Sequence, residues 1–331
     1  MVLKTNPFLA GVHDGWTSRH GGHLIRELRK VRIICWARVA EIEDQEDSGG
    51  LPYFWGKSVR PPGCWSRLPK EARDDYTQGR KAPQHRTVEK VGLYAPQSQQ
   101  VYLSRLWTAL HPQTDLSTCS ALLKALGGEA EVQQAEAIFA SLDLAGVART
   151  TTDFETLTRL ILAIRLAKAV RDDGSAYRLG TVVIKLLGFI TAHRLLASCL
   201  EELSDIVGKL VLNGLDDGTH QIHLRRSLFR SFEAAVSERL FAAESLGGGL
   251  YRMTRGPRLT HASRIDIVLP FVRELGTPGI EAYDKLRDLL ENSMPSSLVP
   301  RPSSRWSDVL RELERYMLFE PVGTRPELAA Q

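Results

Sequence analysis

The sequence predicts a mainly α-helical fold, an irregular bundle of about nine helices behind a basic, largely irregular amino-terminal module rich in proline, glycine and tryptophan. Three observations predict it. Beyond residue 101 apolar residues recur at helical spacing between glycine and proline stops. Residues 48–100 carry six prolines and six glycines and show no sustained period. Five of the six tryptophans and most of the excess positive charge fall in the first third. The expected organisation is a basic module over 1–100, a helical bundle over 101–293, a Ser/Pro linker over 294–304 and a final helix over 305–320 packed on the bundle.

Within the first module, Leu24, Leu28, Val31, Cys35, Val39 and Ile42 recur at intervals of four, three, four, four and three, which is a helical stripe. The Ile, Val and Trp content of residues 31–39 also suits a strand. Arg26, Arg29, Lys30 and Arg32 fall mainly off the stripe, so the helix would carry a basic face. Residues 48–100 are expected to be mostly irregular, with Tyr53, Phe54, Trp55 and Trp65 packing them onto something.

In the bundle, helices are expected over 103–110, 116–126, 130–142, 152–173, 177–192, 195–212, 222–245, 265–275 and 277–292. Thr152-Asp153-Phe154-Glu155 reads as a capping box, in which the threonine hydroxyl and the glutamate satisfy each other's free backbone N–H groups. Residues 177–212 have the highest apolar density and are the candidate centre of the core. Three glycines at 247–249 permit a sharp turn, and Pro270 should kink its helix.

Hydrophobic residues at 43% and charged residues at 25% are ordinary for a folded globular chain. The most apolar run, 179–199, is interrupted by Lys185, His193 and Arg194, so no membrane span and no membrane partner are expected. The first residues lack the apolar stretch of a secretory leader, and the four cysteines show no CxxC spacing; free thiols in a cytoplasmic protein follow. Charge is uneven. Residues 1–110 hold 17 Lys and Arg against 11 Asp and Glu, a net of +6, and the remainder holds 26 against 28, a net of −2.

Two groups of residues suit phosphate binding. One is the face Arg26, Arg29, Lys30 and Arg32, interleaved with flat aromatic rings, which also suit an ordinary small core. The other is the loop 251–264 with Arg252, Arg255, Arg258 and Arg264, where no acidic residue lies between Glu244 and Asp266. Guanidinium groups grip phosphates bidentately, though such arginines also pair with acidic helix surfaces. His13, His20 and His23 are the right ligand types for zinc but match no metal-site spacing. Asp172-Asp173 and Asp216-Asp217 each stand at an expected helix end, where aspartates form turns. No P-loop, GxSxG, HExxH or dinucleotide fingerprint occurs, and no cofactor is expected.

These features favour a non-enzymatic, nucleic-acid-associated subunit that contacts DNA or RNA through its basic residues and docks other protein subunits through its helices. A helical protein-interaction scaffold without nucleic acid draws on the same helices. An enzyme would need titratable groups converging from separate helices.

Overall fold

The computed structural model describes residues 22–48, 65–224, 259–275 and 319–321, with scattered positions from 226 to 240 and at 285. The stripe that begins at Leu24 builds α1, Gly22–Ser48, so helix prevails over strand at 31–39. Its burial is two-sided. Leu28, Val31, Cys35 and Val39 enter the main core, while Ile33, Trp36, Ala37 and Ala40 enter a second, smaller core.

The second core is closed by a 3-10 turn, Trp65–Arg67, and by three short helices: α2, Lys70–Thr77; α3, His85–Gly92; and α4, Pro96–Leu103. Much of a stretch expected to be irregular is therefore helical. Eight-residue helices separated by Gly79, Pro83 and Pro96 are too short to establish a readable period, and they are held by packing rather than by propensity. Trp36 sits fully buried at the centre, with Trp65, Tyr76 and Tyr102 meeting it at ring centroid distances of 5.5, 5.3 and 5.9 Å. Such edge contacts contribute about 1 kcal/mol each beyond burial. Glu43 of α1 accepts from the N–H groups of Gln97 and Ser98 at 3.2 and 2.8 Å, placing a carboxylate at the start of α4.

The main core is built by α5 (Leu106–Leu110), α6 (Leu116–Ala125), α7 (Gly128–Ser141), α8 (Leu144–Thr150), α9 (Glu155–Ala169) and α10 (Asp173–Ile190). After a 3-10 turn, Leu196–Cys199, come α11 (Leu200–Val207), a π-helical turn (Gly208–Leu212) and α12 (His261–Leu275). The fold is thus mainly helical, as expected. Aspartates set several of the starts: Asp115, Asp143 and Asp172 accept from backbone N–H groups of the turns they precede. At α9 the capping box does not form. Asp153 accepts from Glu155 N at 2.7 Å, whereas the Thr152 hydroxyl donates to the Arg149 carbonyl at the end of α8. A helix ending immediately upstream claims the hydroxyl first.

α9 and α10 pack against each other at the centre. A methyl group on Gly188 of α10 would lie 2.9 Å from Val272 of α12, so the absence of a side chain lets those two helices approach closely. β1, His220–Ile222, pairs antiparallel with β2, Phe319–Pro321, where helices were expected to begin and to end. Phe229, Phe232, Val236 and Leu240 are helical and buried, within the helix expected over 222–245. The Ser/Pro linker and residues 305–318 lie outside the described residues. Cys35, Cys119 and Cys199 are buried free thiols, and Cys64 is not among the described residues. No described helix is long and apolar enough to cross a membrane.

A largely buried ion pair ties α1 to α11 and to the turn before it. Arg38 donates to both oxygens of Glu202 at 2.6 and 2.7 Å and to the Ser198 carbonyl at 2.6 Å, across 164 and 160 residues of chain. Glu202 retains 10% of its side-chain exposure, so removing it strands a half-buried guanidinium. Glu202→Ala should cost about 2 to 3 kcal/mol in urea unfolding, whereas Arg38→Met with Glu202→Leu should recover most of that loss. A single-mutant cost near zero would contradict the clamp.

Candidate functional site

The described basic residues divide sharply by environment. Arg26, Arg29 and Lys30 stand at i, i+3 and i+4, so they share one face near the start of α1, and all three are exposed. Arg26 Nε donates to the Gly22 carbonyl at 3.0 Å, and among the described residues none of the three meets a carboxylate. Glu27, the acid in this stretch, is engaged by Lys209 at 3.4 Å and by His23 at 3.8 Å.

The stem of Lys30 lies over Gly79, where a Cβ would come within 2.5 Å of Lys30 Cγ; Gly79 has a left-handed φ of +64° that itself favours glycine. The turn presents a further exposed cation, Lys81, while Arg80 beside it pairs with Asp75 at 3.0 Å. Sequence reasoning passed over Lys81, although the Gln-Gly-Arg-Lys turn was a visible signal.

Arg32 is set apart from this group. Its Nε donates to the Tyr102 carbonyl at 2.8 Å, and its guanidinium lies 4.1 Å from the centroid of the Tyr102 ring. Burial lowers its pKa. Arg264 is on the first turn of α12 rather than in a loop, and its Nε donates to the Ala192 carbonyl at 2.7 Å. The start of that helix is marked by Thr260, whose hydroxyl accepts from Ser263 N at 3.1 Å, a cap the sequence reading missed. Arg252, Arg255 and Arg258 lie outside the described residues.

The aromatic rings expected to interleave with these charges are packed away. Trp36, Trp65 and Trp107 are buried, the last donating to the Val101 carbonyl at 2.7 Å; Trp16 and Trp55 are not among the described residues. The described part therefore offers cations without stacking platforms.

His13 and His20 also lie outside the described residues, and among the described residues no three metal-ligating side chains gather. The aspartate pairs serve turns: Asp172 accepts from Ser175 N at 3.0 Å, and Asp217 from Thr219 N and His220 N at 2.8 and 2.7 Å.

A second polar cluster, unforeseen in the sequence, joins α8, α12 and the turn after α10. The rings of His193 and His261 meet edge to face at 5.2 Å. His193 Nδ1 accepts from Leu195 N and Leu196 N at 3.3 and 3.1 Å, and His261 Nε2 lies 2.9 Å from the buried Thr151 hydroxyl. Burial, with His261 and Arg264 alongside, pushes the His193 pKa down to about 4. With its nitrogen used as an acceptor and the threonine inaccessible, this cluster is a structural joint rather than a nucleophile and base.

No protein-family model matches the chain, and no curated protein or solved structure matches it.

His193 makes stability depend on pH. The unfolded histidine takes its proton near pH 6.5, while the folded one resists until about pH 4. The unfolded state thus binds more protons in this window, and stability should fall as pH drops from 6.5 towards 4, by at most about 3 kcal/mol. His193→Asn keeps an acceptor for the turn and should flatten that decline in urea unfolding. An equal decline in both proteins would refute the assignment.

Proposed function

We propose that the protein is a non-enzymatic nucleic-acid-binding subunit of a larger assembly, holding phosphates on the first turns of α1. The observation that carries this reading is the exposure of Arg26, Arg29 and Lys30 on one helix face, with no carboxylate partner among the described residues. Two guanidiniums and an ammonium within about 6 Å of helix axis match the spacing of neighbouring phosphates, and guanidinium binds a phosphate through two parallel hydrogen bonds. Both faces of α1 are anchored further along, so docking a polyanion orders little that is not already ordered.

In this reading Lys81 extends the basic face, and Arg252, Arg255 and Arg258 add contacts from a segment outside the described residues. Arg32 and Arg264 act by holding elements in place. Other subunits would dock on the helical surface. The recognised chemistry is the phosphate backbone, which DNA and RNA share.

Binding of a labelled polynucleotide should weaken linearly with the logarithm of salt, each phosphate contact adding about 0.7 to 0.9 to the slope. Arg29→Ala with Lys30→Ala should lower that slope by roughly 1.4 to 1.8 and leave stability within about 0.5 kcal/mol of the parent. Arg32→Ala should do the reverse, costing about 1 to 2 kcal/mol of stability with little change in slope. No detectable binding at low salt, with or without nuclease-treated controls, would overturn the reading.

A further inference from the structure

Three helices border a cleft of about 290 Å³: α7 supplies Ala135 and Ile138, the end of α8 supplies Arg149, and the entry to α9 supplies Asp153 and Thr156. Thr156 is the unusual member. It keeps only 4% of its exposure, yet its hydroxyl has no hydrogen-bond partner among the described residues. Its neighbours Thr151 and Thr158 instead donate to carbonyls four residues earlier, at 2.9 and 2.6 Å. The Thr156 oxygen is also not among the unpartnered atoms sealed inside the protein, so it opens on the cleft that the residue lines. The Thr156 backbone N–H, in the first turn of α9, has no acceptor either. A buried hydroxyl and N–H left in this state are donors waiting for an acceptor in the cleft.

Charges of both signs surround this donor pair. Arg149 is exposed and makes no side-chain hydrogen bond or ion pair among the described residues. Asp153 directs one oxygen to Glu155 N, and its other oxygen meets no donor among the described residues. The remaining charges answer one another, since Arg159 meets Glu131 at 3.7 Å and Glu155 at 3.3 Å.

A simple anion in the cleft would face Asp153, Glu131 and Glu155, and a simple cation would face Arg149 and Arg159. A zwitterion satisfies both sides. Its carboxylate can accept from Thr156 and Arg149 in charge-assisted hydrogen bonds, and its ammonium can donate to Asp153. Ala135 and Ile138 add apolar surface for a short aliphatic chain. The volume falls just below the roughly 300 Å³ at which sites for drug-sized ligands begin, which suits a smaller molecule.

We propose that the cleft between α7, α8 and α9 binds a free α-amino acid with a short aliphatic side chain, its carboxylate on Thr156 and Arg149 and its ammonium on Asp153.

Titration calorimetry of the intact protein with L-alanine, L-valine and L-leucine tests this. At least one should bind with a Kd of about 1 mM or tighter. For that amino acid, the amide lacking the carboxylate and the acid lacking the amine should each bind at least about ten-fold more weakly. Thr156→Val removes the hydroxyl at nearly constant size and should also weaken binding about ten-fold, while its urea midpoint stays level or rises because an unpartnered polar group is lost. Thr156→Ser keeps the hydroxyl and should bind like the parent. Arg149→Gln, at an exposed position, should weaken the amino acid but leave the amide unaffected. Absence of binding by all three amino acids up to about 10 mM overturns the proposal. Equal affinities for the amino acid and its two analogues, or an unchanged affinity in Thr156→Val, overturn it as well.

Discussion

A helix that packs on one core buries a single stripe, whereas α1 lies between two cores and has no exposed residue from Val31 to Asp44. Trp36 centres the smaller core, and Cys35 and Val39, on neighbouring turns, belong to the larger one. Because both clusters share this helix, neither can complete its packing without it. The Arg38 and Glu202 pair and the Glu43 carboxylate at the start of α4 then fix its rotation and its axial position.

That arrangement gives the charges of α1 their distinct roles. Arg32 and Arg38 lie where the helix is enclosed, and each is spent on carbonyl or carboxylate partners. Arg26, Arg29 and Lys30 are exposed near the start of the helix and meet no carboxylate among the described residues, Arg26 using only its Nε on the Gly22 carbonyl. A cation at the end of a rigid element binds a polyanion with less loss of freedom than one on a mobile loop, which favours the phosphate contact proposed for the start of α1.

The long helices of the main core were legible because their apolar residues recur over several turns, as in α9 and α10. The short ones, α2, α3 and α4, were not, since eight residues between prolines and glycines give a period no room to repeat. β1 and β2 are three residues each and nearly a hundred apart, so no local pattern announces their pairing. Among the site residues, Arg29 and Arg32 look alike in sequence, three apart on one helix. Only the arrival of Tyr102 from α4 separates them. Arg38 did leave a trace, as a charge inside an apolar run from Ile33 to Ala40, which asks for a partner without naming it. The His193 and His261 contact joins residues 68 positions apart and left none.

Native-state hydrogen exchange along α1 tests the two-sided burial of this helix most directly. Amides from residue 31 to residue 40 should exchange only through global unfolding, with protection equal to that of α9 and α10. If those amides instead exchange through a local opening while α9 and α10 stay protected, α1 is a peripheral helix and cannot serve as the rigid support assigned to it.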